Sequence, residues 1–418
     1  MTGKKKVIVI GGGIIGLCSA YYLWKDGADV TILEKGEVGS GSSGENAGFI
    51  SPSHFVPLPS PGIVAQGLRW MLYPESPFYI KLRPDIELWS WLWKFRAAAN
   101  ERQVRAVMFL LRDLMQASLR LCEEMAATER LECGLQKRGL LMLFNTEKGR
   151  HSNIHDAELA HELGLDARIL SQSDLQRLEP SVTFRATGGV YYPGDAHLSP
   201  TALVSALASF LQSKGVLIRN DTDVLGLEST NTHIENVWTS HGVMEADAYI
   251  LAAGSWSPGL LQDLGIQLPL QPGKGYSVTI PNPSLKMTIP AILTEARVAV
   301  TPLDGTLRLA GTMELSGLDE SINMRRVKAI VKAVPRYFQG FDPDSVDCSK
   351  PWQGLRPCSP DGLPYIGRFR AYGNLIAATG HAMVGMTLAS ITGQLVADLV
   401  AERPSTIDIT ALSPDRYS

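Results

Sequence analysis

Charge and cysteine are both scarce in this chain. Asp, Glu, Lys and Arg make up only 19% of the 418 residues, and 42 acidic against 39 basic side chains leave a net charge of −3. Nucleic-acid partners call for a strongly basic surface, so none is expected. The five cysteines, at 18, 122, 133, 348 and 358, form no CxxC pair and no metal-type spacing. A disulfide framework and a cysteine metal site are therefore not expected; reduced thiols in the cytoplasm fit the pattern. A secretory signal is also lacking. Lys4–Lys6 precede an apolar run, but Gly11, Gly12, Gly13 and Gly16 interrupt it, and no small-residue cleavage site follows. Residues 373–397 contain no charged side chain, which is long enough for a membrane span. Gly380, His381 and Gly385 fall inside that stretch, so it reads as strand, turn and buried helix. With 45% hydrophobic residues, the chain can bury a large core in two or three domains.

What is present begins with a βαβ pattern. Val7–Ile10 reads as a strand, Gly11–Gly16 as a turn, Leu17–Asp26 as a helix, and Val30–Leu33 as a second strand ending at Glu34. Residues 36–62 are a loop rich in Gly, Ser and Pro. Residues 86–128 read as helical: Val104, Val107, Leu111, Leu114, Ser118, Leu121 and Met125 recur at three-and-four spacing. Thr201–Ser213 is a helix before a strand at Val216–Arg219, and Ala248–Ala252 is a strand opening into Ala253-Gly254. Val278–Ile280, Arg297–Thr301 and Leu307–Ala310 suggest antiparallel strands, followed by a helix near 323–334. The expected fold is α/β. A discontinuous Rossmann-like domain (residues 1–85, 186–265 and 346–418) joins an α+β substrate domain with an antiparallel sheet (residues 86–185 and 266–345).

Four motifs carry chemistry. The first is Gly11-x-Gly13-x-x-Gly16, between a strand and a helix. Gly11 permits the tight turn, Gly13 lets a pyrophosphate approach the backbone, and Gly16 lets helix and strand pack closely. The helix N-terminus offers unpaired amides to an anion, Ile14 and Ile15 among them. Glu34 stands where a carboxylate can accept from ribose hydroxyls, with Lys35 after it; a terminal acid favours FAD or NAD over NADP. The second is Ser42-Ser43-Gly44-Glu45-Asn46-Ala47-Gly48, either a loop reaching a flavin and its phosphates or a plain surface loop. The third is Trp352-Gln353-Gly354-Leu355-Arg356-Pro357. Its arginine fork matches a carboxylate bidentately, with a structural salt bridge as the alternative. The fourth is Gly380-His381-Ala382-Met383-Val384-Gly385, then Met386, before the last helix. Its glycines can lie against a ring, and the helix N-terminus favours negative charge there. His381 is either a catalytic base or a histidine bonded within the turn. The cluster Trp89, Trp91, Trp93 and Phe95, beside Lys94 and Arg96, is either helix core or a membrane-facing surface.

With these residues in view, the sequence resembles the D-amino-acid oxidase superfamily of flavoproteins, and within it the bacterial D-amino-acid dehydrogenases. The resemblance runs over nearly the whole chain. It rests on the glycine fingerprint, Asn46-Ala47-Gly48-x-x-Ser51-Pro52 with Pro61-Gly62, and Lys274-Gly275-Tyr276-Ser277. Ala310-Gly311-Thr312-x-Glu314, Trp352-x-Gly354-Leu355-Arg356-Pro357-x-x-Pro360-Asp361-Gly362 and Gly380-His381 complete it. The resemblance implies FAD extended across the first domain, touching also Val224, Ala253, Gly254, Gly380, Val384, Gly385 and Met386. It implies an amino-acid substrate over the flavin ring, with Arg356 on its carboxylate and Tyr276 and His381 as further site residues. Hydride transfer to flavin and hydrolysis would give a 2-oxo acid and ammonia, with electrons passed to a quinone-type acceptor. Peripheral contact with the inner face of the plasma membrane stays open. Related glycine oxidases carry a second arginine where this chain has Met383. Sarcosine oxidases attach FAD at a cysteine that corresponds to Gly354, so non-covalent FAD is expected. The alternatives are an oxygen-using oxidase of glycine, sarcosine or proline-like amines, and a non-enzymatic or RNA-modifying flavoprotein.

Overall fold

The computed structural model describes residues 4–71, 73 and 75–418. Two large sheets organise the chain. The first has six strands in the order Tyr365–Arg368, Leu375–Thr379, Ala248–Leu251, Lys6–Ile10, Asp29–Leu33 and Leu217–Arg219. All are parallel except the Tyr365–Arg368 edge. Parallel strands covered on both faces read as unbroken apolar runs, as Val7–Ile10 does. Val7 and Val9 pack under the helix Ile14–Lys25, while Ile8 and Ile10 face the opposite cluster with Leu33, Val224 and Tyr249. A three-stranded meander, Val224–Ser229, Ile234–Thr239 and Gly242–Glu245, covers that second face.

The helix Gly385–Val400 lies along Ile14–Lys25 so closely that a Cβ at Gly393 would stand 2.4 Å from the Cys18 carbonyl oxygen. It also packs on the helix Glu101–Thr128, with Ser118 Oγ accepting from the Ile391 amide at 3.2 Å. The segment Ala382–Val400 is long and apolar enough to cross a membrane, yet 67% of it is buried inside the protein. It is a core helix, as the interrupting glycines suggest. The helical run expected over 86–128 is two helices, Ile86–Ala98 and Glu101–Thr128. The break falls at Asn100, whose side chain accepts from the Gln103 amide and caps the second helix.

The second sheet has nine strands. Its path is Trp352–Cys358, Gln271–Pro281, Thr306–Leu315, Val298–Leu303, Ala291–Leu293, Leu140–Phe144, Gly188–Tyr192 and Arg168–Ser171, with Phe78–Ile80 beside Thr306–Leu315. It takes in Phe78–Ile80, Gly188–Tyr192 and Trp352–Cys358, three segments that the expected boundaries grouped with the cofactor domain. One face packs on the helix Met324–Ala333 through Val278, Leu309, Val327 and Ile330. The other face turns toward the six-stranded sheet and meets the loop at residues 45–48. Ser277 Oγ donates to the Glu45 carbonyl at 3.3 Å, Arg308 Nη1 to Asn46 at 2.9 Å, and Thr301 Oγ1 to Ala47 at 2.7 Å.

Candidate active site

The fingerprint turn is built so that no side chain can fill it. Gly11 has φ +111°, and a Cβ there would stand 2.5 Å from the Ala252 carbonyl oxygen. A Cβ on Gly16 would stand 1.9 Å from the Gly11 carbonyl oxygen. Glu34 reaches back to this turn: its carboxylate accepts from the Gly12 amide at 2.7 Å and the Gly36 amide at 3.1 Å. Ser43 Oγ accepts from the Ile14 amide at 3.0 Å, which brings the second motif onto the first. Gly13 lies alongside, where a Cβ would sit 3.2 Å from that same Oγ. Ile15 and Gly16 lie in the first helical turn, where amides lack an acceptor within the helix. The Ile14 amide, expected to be unpaired, is taken by Ser43, but Gly-lined space, the Ile15 and Gly16 amides and a carboxylate 20-odd residues on suit a dinucleotide.

The remaining expected cofactor residues gather around this turn. Lys35 Nζ lies 3.4 Å from the centre of the Trp256 ring, two residues after Gly254. Val224 is buried beside Leu33 and Tyr249; two residues before it, the Thr222 amide donates to the Glu34 carbonyl at 2.8 Å. Ser42 Oγ and Ser255 Oγ both donate to the Leu355 carbonyl, at 2.6 and 2.9 Å. Asn46 Oδ1 accepts from the Gly48 amide at 2.9 Å and closes a tight turn over Ala47. Gly48 needs its missing side chain, having φ +82° and a would-be Cβ 2.3 Å from the Leu198 carbonyl oxygen. Gly380, at φ +81°, turns the chain past Tyr365, and Val384, Gly385 and Met386 start the last helix. Thr387 Oγ1 accepts from the Ser51 amide at 3.1 Å, tying that helix to the segment just after the second motif.

Arg356 stands on the strand Trp352–Cys358, next to the residue that both serines hold. It lies opposite Gly273, on the face that meets residues 45–48. Its Nη1 donates to the Thr312 carbonyl at 2.8 Å. Among the described residues it has no carboxylate within 4.0 Å. The guanidinium is half-buried, and desolvation lowers its pKa from the usual arginine value. A structural salt bridge is thus not what holds it. A desolvated cation without an anion is costly, and a bound carboxylate would relieve that cost.

Tyr276 is not brought to Arg356. Successive residues of a strand point to opposite faces, and Tyr276 is three positions along from the residue opposite Arg356. It lies under the helix Met324–Ala333, its hydroxyl donating to Glu314 at 3.1 Å and accepting from the Asn323 amide at 3.2 Å. Burial raises its pKa. Glu314 in turn meets Arg326 Nε at 3.0 Å, and Lys274 Nζ lies 3.5 Å from Asp319. This buried ionic group fixes the far face of the sheet. His381 is buried, with its Nε2 3.0 Å from Thr392 Oγ1. Thr392 Oγ1 already donates to the Leu388 carbonyl at 2.8 Å, so His381 Nε2 is the donor. Burial lowers its pKa to about 3, which keeps the ring neutral. His381 is thus bonded to the last helix rather than within its own turn, and its low pKa makes it a weak base. Sequence reasoning missed Ser255, Thr301, Arg308 and Thr312, which fix the loops and Arg356. Arg308, a lone cation in the apolar run Thr306–Leu315, was the available signal.

The model of the FAD-dependent oxidoreductase family matches residues 6–399. This chain belongs to that family. FAD is accordingly the cofactor, and the enzyme is an oxidoreductase. Among relatives of this oxidoreductase, a D-amino acid dehydrogenase of Methylobacterium radiotolerans is 32% identical over 421 residues, spanning 99% of each chain. Another, from Granulibacter bethesdensis, is 32% identical over 424 residues, 99% of this chain and 100% of the relative. The structure of glycine oxidase from Geobacillus kaustophilus superposes with a TM-score of 0.79 at 24% identity, covering 99% of this chain and 100% of the other. The fold is therefore the Rossmann-like cofactor domain with an α+β partner that the sequence implied.

Proposed function

We propose that this oxidoreductase is an amino-acid dehydrogenase, with D-amino acids as its substrate class. The observation that carries the proposal is Arg356: a half-buried guanidinium without an acidic partner among the described residues, on the sheet face that meets residues 45–48. Its planar fork suits an α-carboxylate, and holding that group orients the adjacent Cα–H. FAD, when bound, supplies the acceptor for the hydride. Neither expected residue serves as a base, since burial holds the His381 pKa at about 3 and Tyr276 faces away. The substrate amine then has to arrive neutral, and water hydrolyses the imino acid to 2-oxo acid and ammonia. Full-length similarity to two D-amino acid dehydrogenases supports this reading.

The electron acceptor we propose is a membrane quinone. Ile86, Trp89 and Trp93 recur at helical spacing on one exposed flank, 88%, 53% and 74% accessible, while Trp91 of the same helix is buried. Leu82 is also exposed, as are Lys81 and Arg96 before and after the stripe in sequence and Glu87 beside Ile86. An apolar stripe with basic residues around it suits peripheral contact with an anionic membrane surface. The inner face of the plasma membrane fits the unpaired cysteines, four of them buried. The proposed division keeps the six-stranded sheet as cofactor domain and the nine-stranded sheet as substrate domain.

The test is a panel of D- and L-amino acids, including proline and hydroxyproline, with FAD-loaded protein and an artificial dye. Dye reduction with matching 2-oxo acid from D-amino acids is expected. Turnover of glycine or sarcosine with stoichiometric peroxide at comparable rates would replace the proposal with the oxidase reading. No turnover of any amine would remove it.

A further inference from the structure

The Lys274-Gly275-Tyr276-Ser277 segment has a role that its tyrosine does not explain. Gly275 sits inside an 11-residue strand, where glycine costs packing and entropy. It is not among the residues with positive φ, so its backbone does not require glycine. What excludes a side chain there is Arg356. A Cβ on Gly275 would stand 2.2 Å from Nη1, 2.2 Å from Nη2 and 2.4 Å from Cζ. The guanidinium therefore lies flat across the Gly275 backbone. Beyond it, the strand Thr306–Leu315 carries a bulge: Lys274 pairs with Glu314, but Tyr276 pairs with Gly311. Residues 312 and 313 thus share the place opposite Gly275. Thr312 takes φ +70° there, unusual for a branched residue, and its carbonyl receives Arg356 Nη1.

We propose that Gly275 is a positioning residue for Arg356. With the Thr312 carbonyl it holds the guanidinium low against the sheet, one edge engaged by protein and the other left for a carboxylate. The proposal rests on the reading of Arg356 as the carboxylate clamp. It also reassigns the Lys-Gly-Tyr-Ser motif: Gly275 serves the site, while Tyr276 serves the opposite face.

A methyl group at position 275 would meet the far end of a flexible side chain rather than backbone. The fold should survive and the fork should lift off Thr312. Gly275→Ala should keep its FAD absorbance and lose about 10-fold or more in kcat/KM, mainly through KM. The inhibition constant of acetate, a bare carboxylate probe, should rise in parallel. In an Arg356→Ala background the same change should have no further effect, because the group it displaces is gone. If Gly275→Ala weakens FAD binding, restoration of FAD in the double variant still identifies the guanidinium as the clashing group. Continued FAD loss in the double variant overturns the proposal. So does an unchanged acetate constant, or an equal further loss in the Arg356→Ala background. Near-parental kcat/KM in Arg356→Ala alone defeats the clamp reading first, and the proposal with it.

Discussion

Removing the Arg356 fork is the perturbation whose size can be worked most directly. In the free enzyme Nη1 is engaged by the Thr312 carbonyl at 2.8 Å, and among the described residues no carboxylate competes for the rest of the guanidinium. A charge-assisted hydrogen bond to substrate contributes roughly 1.5–3 kcal/mol, and each 1.36 kcal/mol is tenfold in rate. Arg356→Ala should therefore lower kcat/KM by about 10- to 200-fold, with more if Cα–H also drifts from its acceptor. Arg356→Lys keeps the charge but cannot hold Thr312 and a carboxylate with one planar group, so it should recover only part of the loss. Both variants should retain FAD and fold, because no acidic protein partner is orphaned. The assay is dye-linked turnover across substrate concentration, beside flavin absorbance and Tm. Near-parental kcat/KM with flavin retained refutes the clamp. Aggregation or loss of flavin would mean that Arg356 is structural despite lacking an acidic partner.

Three further outcomes are expected. FAD should leave the chain on denaturation, because Gly354 has no attachable side chain and a Cβ there would stand 2.3 Å from the Trp352 ring; flavin precipitating with the polypeptide would contradict this. Trp89→Glu with Trp93→Glu should reduce flotation with anionic vesicles while dye-linked activity persists, and equal flotation of variant and parent would end the membrane reading. Burial holds His54 and His197 at about 4 and His381 at about 3, against 6.5 when unfolded. The unfolded chain binds protons below pH 6.5 that the native state refuses, so this stability is complete above 6.5 and drains away toward pH 3 to 4. Asp195, raised to about 7 by burial, and Asp156, also raised by burial, oppose the trend by gaining stability as pH falls, but they are two groups against three. Tm should therefore drop between pH 6.5 and 4, and His381→Gln should flatten part of that slope; an unchanged slope would show His381 to be already accessible to protons.

The cofactor turn was legible because its constraints are local. Gly16 is demanded by the Gly11 carbonyl five residues before it, and the strand, helix and acid around them follow in sequence; only the Ala252 carbonyl that crowds Gly11 comes from far along the chain. Arg356 was legible as a cation in an apolar Gly- and Pro-bounded run. Its surroundings were not. Which of Gly275 and Tyr276 faces it depends on the register between two strands about 80 residues apart, and no local pattern encodes that register. The Thr312 bulge is likewise a property of strand pairing. His381 looked like a base because histidine at a glycine turn is chemically suggestive, yet burial beside Thr392 keeps it neutral. The break at Asn100 was missed because apolar spacing continues on both sides, and only the cap interrupts it.

The order in which the strands join the sheets bears on biosynthesis. The six-stranded sheet begins with Lys6–Ile10 but is completed by Tyr365–Arg368 and Leu375–Thr379. The nine-stranded sheet begins with Phe78–Ile80 and is closed by Trp352–Cys358. Neither can finish while the polypeptide is growing through its first 350 residues. At ~5–20 residues per second, the fingerprint helix waits on the order of tens of seconds for the helix that covers it. During that interval the exposed apolar faces of both halves are open to aggregation, and chaperone demand should be greatest late in synthesis. Carboxy-terminal truncation at residue 350 should accordingly yield insoluble protein rather than a separable cofactor-binding fragment.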